Sequence, residues 1–360
     1  MKHSNLTILI KPVSGLCQLF CKYCFYRELA EQNDTGIQLM QPEVVSGLIK
    51  RISGSVEKNQ KVTFAFQGGE PLLAGPDFYE SFFDAVKEAN ISANYLFQTN
   101  GIELTSENGE AYKNLFQNNN CLIGLSVDGP RKTHDANRID INRKGTYDTV
   151  MQAYLKLRSA NIEVNFLTVL SEAVLKHPES LYAFYKNSGI KYVQLIPCLP
   201  SLKNEDRAGL KYYNELLTLF WIKFYDLWKQ DYLAGNCCFE VREFSSILNG
   251  LSGRIVKSCI FPGKCSPQLV VEADGSTYPC DFYVLPQYRT GSVLTDSIED
   301  TLRSDNMLSF AKENPPLGPQ CTQCRYRSLC KGGCRRMRQL WQSDPEHCSM
   351  RTFLDHVCGY

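Results

Sequence analysis

The chain has 360 residues, with 39 Lys and Arg against 38 Asp and Glu and a formal net charge of +1. That balance gives no bulk field to draw in nucleic acid or an anionic membrane, and the length holds one large domain with an appendage, or two ordinary domains, with core enough to fold without staples. The opening MKHSNLTILIKP has an apolar run too short for a signal-peptide core, and no later stretch approaches a membrane span, so a cytoplasmic location is expected.

From residue 6 to about 200 a short apolar run alternates with a helically periodic stretch. The runs are LTILI (6–10), VTFAF (62–66), NYLFQ (94–98), CLIGLSV (121–127), VNFLTVL (164–170) and YVQLIP (192–197); between them lie amphipathic segments such as PEVVSGLIKRI, DFYESFFDAVKEA, YDTVMQAYLKLRS and PESLYAFYKNSG. Strands alternating with helices predict an α/β fold with a parallel sheet and right-handed crossovers. Six units are fewer than the eight that close a TIM barrel, so the sheet should form a partial (β/α)6 barrel or stay open, with the active site beyond the carboxyl ends of its strands. The unusual residues fall there: a cysteine triplet after the first run, QGGEP after the second, QTNG after the third and SVDGP after the fourth.

Beyond LPSLKNEDRAG the segment LKYYNELLTLFWIKFYDLWKQDYL predicts one long helix with an aromatic packing face, followed by a shorter helix in EVREFSSILNGL. From Cys259 the chain is rich in cysteine, glycine and proline, with a hairpin, QLVVEADGSTYPC, turning at Asp274-Gly275. The expected division is a barrel over 1–205, a helical connector over 206–255 and a separate, small, ligand-held domain over 256–360.

Sixteen cysteines in a reducing compartment are not expected to form disulfides, which leaves metal or cluster ligation as their main employment. The stretch CQLFCKYC places Cys17, Cys21 and Cys24 in a C-x3-C-x2-C pattern with Phe25 and Tyr26 directly after it. Structural zinc takes four protein ligands, and a cluster used only for electron transfer has its irons fully ligated; three thiolates leave one position open. Buried apolar cysteines, or a zinc shared with a distant histidine, are the alternatives. The spacing and its aromatic neighbour resemble the motif of the radical S-adenosylmethionine (radical SAM) superfamily. The resemblance implies a 4Fe-4S cluster on Cys17, Cys21 and Cys24 whose open iron chelates S-adenosylmethionine, with one-electron cleavage of the sulfonium to a 5'-deoxyadenosyl radical.

In QGGEP, paired glycines at a strand end allow backbone to approach a ligand closely, although a lone GGE is more often a turn. By resemblance, Gly68, Gly69 and Glu70 match the family's GGEP motif, whose backbone contacts the cofactor's amino group, and Ser126 and Leu199 match further cofactor contacts, with Arg138 as another candidate. Tyr26 and Gln67 match positions beside the bound molecules, or are ordinary residues of the barrel mouth.

The later cysteines include CTQCRYRSLCKGGC, a C-x2-C-x5-C-x3-C pattern that suits a metal centre, and in isolation reads equally as a zinc ribbon. This tail resembles the SPASM extension of peptide-modifying radical SAM enzymes, which implies two auxiliary clusters: one on Cys259, Cys265, Cys280 and Cys334, the other on Cys321, Cys324, Cys330 and Cys348, for three 4Fe-4S clusters in all. The remaining Cys121, Cys198, Cys237, Cys238 and Cys358 read as small buried residues.

YPCDFYVL (278–285), with CFY at 24–26, FAFQGGEP, LSVDGP and CKGGCRR, is similar to the anaerobic sulfatase-maturating enzymes. The resemblance implies oxidation of a cysteine or serine in a sulfatase polypeptide to formylglycine, with Asp281 as the base that takes the thiol or hydroxyl proton. Asp281 could otherwise be a turn-capping carboxylate. An exposed aspartate is a weak base for a thiol, so burial or substrate closure is expected around it. The implied partners are the sulfatase polypeptide and a low-potential donor such as a flavodoxin or ferredoxin, with no nucleic acid and no membrane. A competing reading is a SPASM enzyme that crosslinks ribosomal peptides through thioether or carbon-carbon bonds; such enzymes commonly carry a leader-binding domain before the barrel, and the triplet beginning at Cys17 leaves no room for one. A zinc-stapled binding module is the alternative from another class.

Overall fold

The computed structural model describes residues 5–32, 39–57, 60–202, 207–254, 256, 258–261, 263–266, 268–313, 317–343 and 348–360. Each of the six apolar runs is a strand: β1 (Asn5–Ile10), β2 (Lys61–Phe66), β3 (Ala93–Thr99), β4 (Leu122–Ser126), β5 (Val164–Leu170) and β6 (Tyr192–Pro197). They lie side by side in chain order and parallel, with Ile8 opposite Phe64 and Phe64 opposite Tyr95. Alternation along β5 shows why the runs read as strands. Val164, Phe166, Thr168 and Leu170 are buried under the outer helices, while Asn165, Leu167 and Val169 face the partly open interior.

The helices Pro42–Ser53, Pro76–Glu88 and Pro178–Ser188 each begin on a proline, whose fixed φ suits the first turn and whose missing N–H is no loss there. Aromatic side chains fill the layer between helix and sheet, as where Phe66 meets Tyr79 and Phe82 edge-on. The long helix Arg207–Leu233 buries Phe220, Trp221, Phe224, Tyr225 and Trp228. Trp221 stacks on Phe353 of the helix Ser349–Cys358, and Tyr182 of Pro178–Ser188 meets Phe224 edge-on, so this face joins the barrel to the C-terminal region. At roughly 1.5–3 kcal/mol for each large side chain fully buried, the face contributes on the order of 10 kcal/mol.

Two features differ from the expected layout. Glu240–Val241, predicted as the start of a helix, is instead a short strand β7 that pairs with Tyr192 and Val193 of β6, and the helix starts at Arg242. Pairing wins because β6 would otherwise present bare backbone at that edge. The C-terminal hairpin does not stand apart. Its first strand β8 (Leu269–Val271) lies parallel against β1, and β9 (Ser276–Tyr278) and β10 (Gly291–Ser292) follow antiparallel, making one ten-stranded sheet in the order β10-β9-β8-β1-β2-β3-β4-β5-β6-β7. The sheet does not close on itself, so the barrel is partial. Among the described residues no helix is long and apolar enough to cross a membrane.

Candidate active site

The cysteine loop leaves β1 at Ile10 and is braced from both sides. On one side Lys11 N donates to Val271 O at 2.9 Å. On the other, Gly69 N donates to Ser14 O at 2.7 Å and Glu70 N to Leu16 O at 2.8 Å, so the loop lies directly on QGGEP. A Cβ at Gly69 would stand 2.1 Å from Leu16 O, and Gly68 has a φ of +129°; neither position accepts a side chain without strain. The glycines were expected to meet a ligand, and the structure gives them a prior task, which is to receive the cysteine loop. Since the Gly69 and Glu70 N–H groups are engaged there, an ammonium group approaching this loop would meet its carbonyls, the acceptors it needs.

Glu70 is buried and accepts hydrogen bonds from Thr99 Oγ1 at 2.6 Å, Asn100 N at 2.7 Å and Leu72 N at 3.1 Å. It ties QGGEP to QTNG, and burial pushes its carboxyl up to about 7 against the lowering effect of those donors. SVDGP carries the matching strut. Buried Asp128 pairs with the Arg138 guanidinium, which donates from Nη2 to Oδ1 at 3.3 Å, and accepts from the Val169 N–H (3.0 Å) and the hydroxyl of Tyr23, which pins the cysteine loop to the end of β4.

These elements enclose a cavity of about 160 Å³. Cys17, Cys21 and Cys24 line it together with Gly68, Gly69 and Glu70. Ser126, Leu199 and Arg138 form another part of the wall, and Tyr26, Gln67 and Asp281 another. Every residue of the barrel mouth singled out from the sequence therefore reaches one space. Burial pushes the Cys17 thiol up to about 12, with the Glu70 charge and then Cys21 and Cys24 adding to it; Cys21 is raised chiefly by burial, and Arg138 opposes that rise. Three neighbouring thiols, two of them raised by burial, become good ligands once a cationic metal centre takes up the negative charge, so the donor set fits an iron-sulfur cluster.

Lys11 is the residue that the sequence reading misses. It is 1% exposed, its Nζ lies 2.5 Å from Asp281 Oδ1, and it sits 3.7 Å from the centroid of the Tyr26 ring. The contact with Asp281 is one of charge, since Oδ1 makes no aligned hydrogen bond. The Tyr26 hydroxyl donates to buried Glu272, which also accepts from Ser14 Oγ at 2.6 Å; burial raises the Glu272 carboxyl and the Lys11 charge opposes that rise. A buried ammonium thus stands among two carboxylates and an aromatic face. The available signal was its place, a lysine at the C-terminal end of a barrel strand, where function collects.

The C-terminal thiols separate into two neighbourhoods. Burial raises the thiols of Cys259, Cys265 and Cys280, and the nearness of Cys334 adds to each; the Cys334 N–H donates to Ile260 O at 2.8 Å. A Cβ at Gly263 would come 2.0 Å from Lys331 O, so the two loops that carry these thiols touch through a glycine. Cys321, Cys324, Cys330 and Cys348 line a separate pocket; burial and then the nearby Cys348 push the Cys330 thiol up to about 12. Among the described residues no three His, Cys, Asp or Glu side chains are gathered tightly enough for one metal ion. Of the remaining cysteines Cys121 is buried as expected. Cys198, Cys237 and Cys238 are only partly buried, and Cys358, on the last turn of the final helix, is exposed.

A radical SAM superfamily model matches residues 12–184, and a model of SPASM, an iron-sulfur cluster-binding domain, matches residues 263–325. The cysteine-type anaerobic sulfatase-maturating enzyme of Clostridium novyi (strain NT) is 35% identical over 345 residues, covering 93% of this chain and 89% of that protein. The chain belongs to the anaerobic sulfatase-maturating enzymes. As a member of that family it is a radical SAM enzyme with a C-terminal SPASM region. The serine-type anaerobic sulfatase-maturating enzyme of Bacteroides thetaiotaomicron is 28% identical over 381 residues, covering 99% of this chain and 87% of that protein. A solved structure described as native anSMEcpe with bound AdoMet and Kp18Cys peptide matches at a TM-score of 0.87 and 31% identity, over 99% of this chain and 97% of that one. For an anaerobic sulfatase-maturating enzyme the placement of Asp281 is the informative feature. It follows Cys280 in the C-terminal region, yet it opens into the barrel cavity because β8 and β9 continue the barrel's own sheet.

Proposed function

We propose that this chain oxidises a cysteine or a serine in a sulfatase polypeptide to formylglycine. The observation that carries the reading is the meeting in one cavity of the three-cysteine loop and the Lys11–Asp281 pair. When bound, a 4Fe-4S cluster and S-adenosylmethionine supply a 5'-deoxyadenosyl radical that removes a hydrogen atom from the substrate's β carbon. Cys17, Cys21 and Cys24 hold that cluster, and the Gly68–Glu70 loop offers carbonyls to the cofactor's amino group. Ser126 and Leu199 border the cofactor, while Tyr26 and Gln67 flank the reacting residue. Asp281 takes the thiol or hydroxyl proton on an oxygen that Lys11 leaves free, and Lys11 holds the carboxylate facing the substrate.

Cys259, Cys265, Cys280 and Cys334 hold a second cluster, and Cys321, Cys324, Cys330 and Cys348 a third. Their separation into two neighbourhoods supports this. The barrel is residues 1–205, the connector 206–255 and the cluster-bearing region 256–360. The open sheet supports a polypeptide substrate, which enters as an extended chain. A flavodoxin or ferredoxin supplies the electron, and sixteen free thiols suit the reducing cytoplasm. The test is to incubate reduced enzyme, S-adenosylmethionine and a sulfatase-derived peptide without oxygen. A mass change matching formylglycine is expected, and it is lost in Cys17→Ala; a stable crosslink with no aldehyde overturns the reading.

A further inference from the structure

We infer that the buried guanidinium of Arg338, seated on the turn that joins the two groups of C-terminal thiols, raises the reduction potential of both clusters those thiols hold. The inference deepens the function proposed above and rests on its assignment of the thiols to two clusters. A cluster with a higher potential holds an added electron more firmly, so the charge of Arg338 bears on how readily the C-terminal region takes one up.

The stretch from Cys330 to Cys334 crosses from one group to the other, because Cys330 shares a pocket with Cys321 while Cys334 acts on Cys265. The turn is tight and fixed. Gly332 and Gly333 hold left-handed φ values of 84° and 66°, Gly333 N donates to Cys330 O at 2.7 Å, and Cys334 N donates to Ile260 O at 2.8 Å. Arg338 opens the short helix Arg338–Trp341 and reaches back to this turn, donating from Nε to Gly332 O at 3.1 Å and from Nη2 to Gly333 O at 3.5 Å. A Cβ at Gly332 would stand 3.2 Å from Arg338 Nε, so the glycine makes room for the guanidinium. Arg338 is 5% exposed, and Gly332 itself lines the pocket of Cys321 and Cys330.

A guanidinium stays charged throughout the range in which proteins fold, and a buried fixed charge is costly unless opposite charge offsets it. The two carbonyls supply part of that offset. A 4Fe-4S core on four thiolates is a net anion, and one on each side of the turn supplies the rest. Each thiol group contains a member that feels this cation: burial raises the Cys265 and Cys321 thiols, neighbouring thiols add to it, and the Arg338 charge opposes the rise in both. Gln342, which ends the same helical turn, donates from Nε2 to Cys321 Sγ at 2.9 Å, so this face of the chain addresses the sulfurs directly as well. Net charge, hydrogen bonds to sulfur and exposure set the potential of such a cluster. Reduction adds a negative charge, and a nearby buried cation favours it. Arg335 is the contrast. It is half-buried, stands 4.9 Å from the Tyr283 ring centroid and 4.5 Å from that of Phe310, and opposes the rise at Cys265, so its charge serves one side of the turn.

The test is a redox titration of the cluster-loaded full chain followed by electron paramagnetic resonance, with S-adenosylmethionine added to mark the N-terminal cluster by the change in its signal. Arg338→Gln keeps a side-chain donor for the carbonyls and removes the charge. The equilibrium constant for reducing each C-terminal cluster should fall about ten-fold, which is about 59 mV for one electron, while the N-terminal midpoint holds. Arg335→Gln should lower one C-terminal midpoint and leave the other, and Arg338→Lys should keep both. Unchanged midpoints in Arg338→Gln, or a shift confined to one cluster, overturn the inference. A midpoint is read from whatever fraction of the protein carries clusters, so partial loading does not blur the comparison. If Arg338→Gln loads no C-terminal cluster, Arg338→Lys decides: retained midpoints support the charge, and a fall in both refutes it. Iron content separates the two readings. Roughly twelve irons per chain with unmoved midpoints sinks this inference alone, whereas C-terminal thiols that hold no iron in the wild type sink the cluster assignment and the inference together.

Discussion

Replacing Lys11 by methionine keeps most of the side chain's length and removes its charge. The ammonium lies 2.5 Å from Asp281 Oδ1 and is 1% exposed, whereas the Asp281 side chain is 19% exposed to the cavity. Breaking a buried ion pair by removing one member costs about 3–5 kcal/mol. Water reaching Asp281 relieves part of that, so the lower end is expected, about 3 kcal/mol. The functional effect follows from position: a reacting group displaced by about 1 Å loses roughly a hundred-fold in rate. Lys11→Met should therefore oxidise peptide about a hundred times more slowly, near 2.7 kcal/mol in activation free energy. The assay follows 5'-deoxyadenosine and oxidised peptide in the same anaerobic reaction. Cofactor cleavage should persist while peptide oxidation falls, and Lys11→Arg should recover part of the loss. If both rates fall together, Lys11 serves the cysteine loop; if peptide oxidation is unchanged, the reasoning is wrong.

Asp281→Asn preserves shape, removes one of the two carboxylates beside Lys11, and should cut peptide oxidation by at least about a hundred-fold while cofactor cleavage continues; normal turnover removes Asp281 as the base. Gly69→Ala places a methyl 2.1 Å from Leu16 O, so the cysteine loop cannot seat, and cofactor cleavage and about four of roughly twelve irons should be lost; full iron content would show that the loop can shift. Glu243, buried and accepting from Leu195 N at 2.9 Å, has its carboxyl pushed by burial from 4.5 up to about 7. Between those values the folded chain keeps a proton that the unfolded chain has lost, so stability falls as pH rises through the window. Glu243→Gln should flatten that fall and match or exceed the wild type in thermal scans at pH 8, with no gain at pH 5; parallel curves would place the titration elsewhere.

The barrel was legible because its signals are local. β5 alternates buried and half-buried residues as VNFLTVL suggests, and the cysteine triplet, QGGEP and SVDGP announce themselves by spacing and composition. What stayed hidden depends on pairing between distant segments. Nothing in LVV says that it will lie against LTILI, so the joining of the hairpin to β1 is invisible until the backbone partners are known. Lys11 is hidden for the same reason, since its partner is 270 positions away in the chain. Glu70 and Asp128 were noticed as parts of motifs, yet their work as struts depends on donors from Thr99, Asn100, Tyr23 and Val169.

The seam between β1 and β8 bears on how the molecule can be taken apart. A fragment ending before residue 256 would strip the flank from its first strand, leaving an unprotected run of amide and carbonyl groups that invites other chains to add on. The same cut would remove the acceptors that anchor Lys11 and Ser14, at Val271 and Glu272, and loosen the cysteine loop at its root. The isolated N-terminal piece should then gather into insoluble aggregates, and the iron-binding tail is as much a wall of the reaction chamber as an attachment to it.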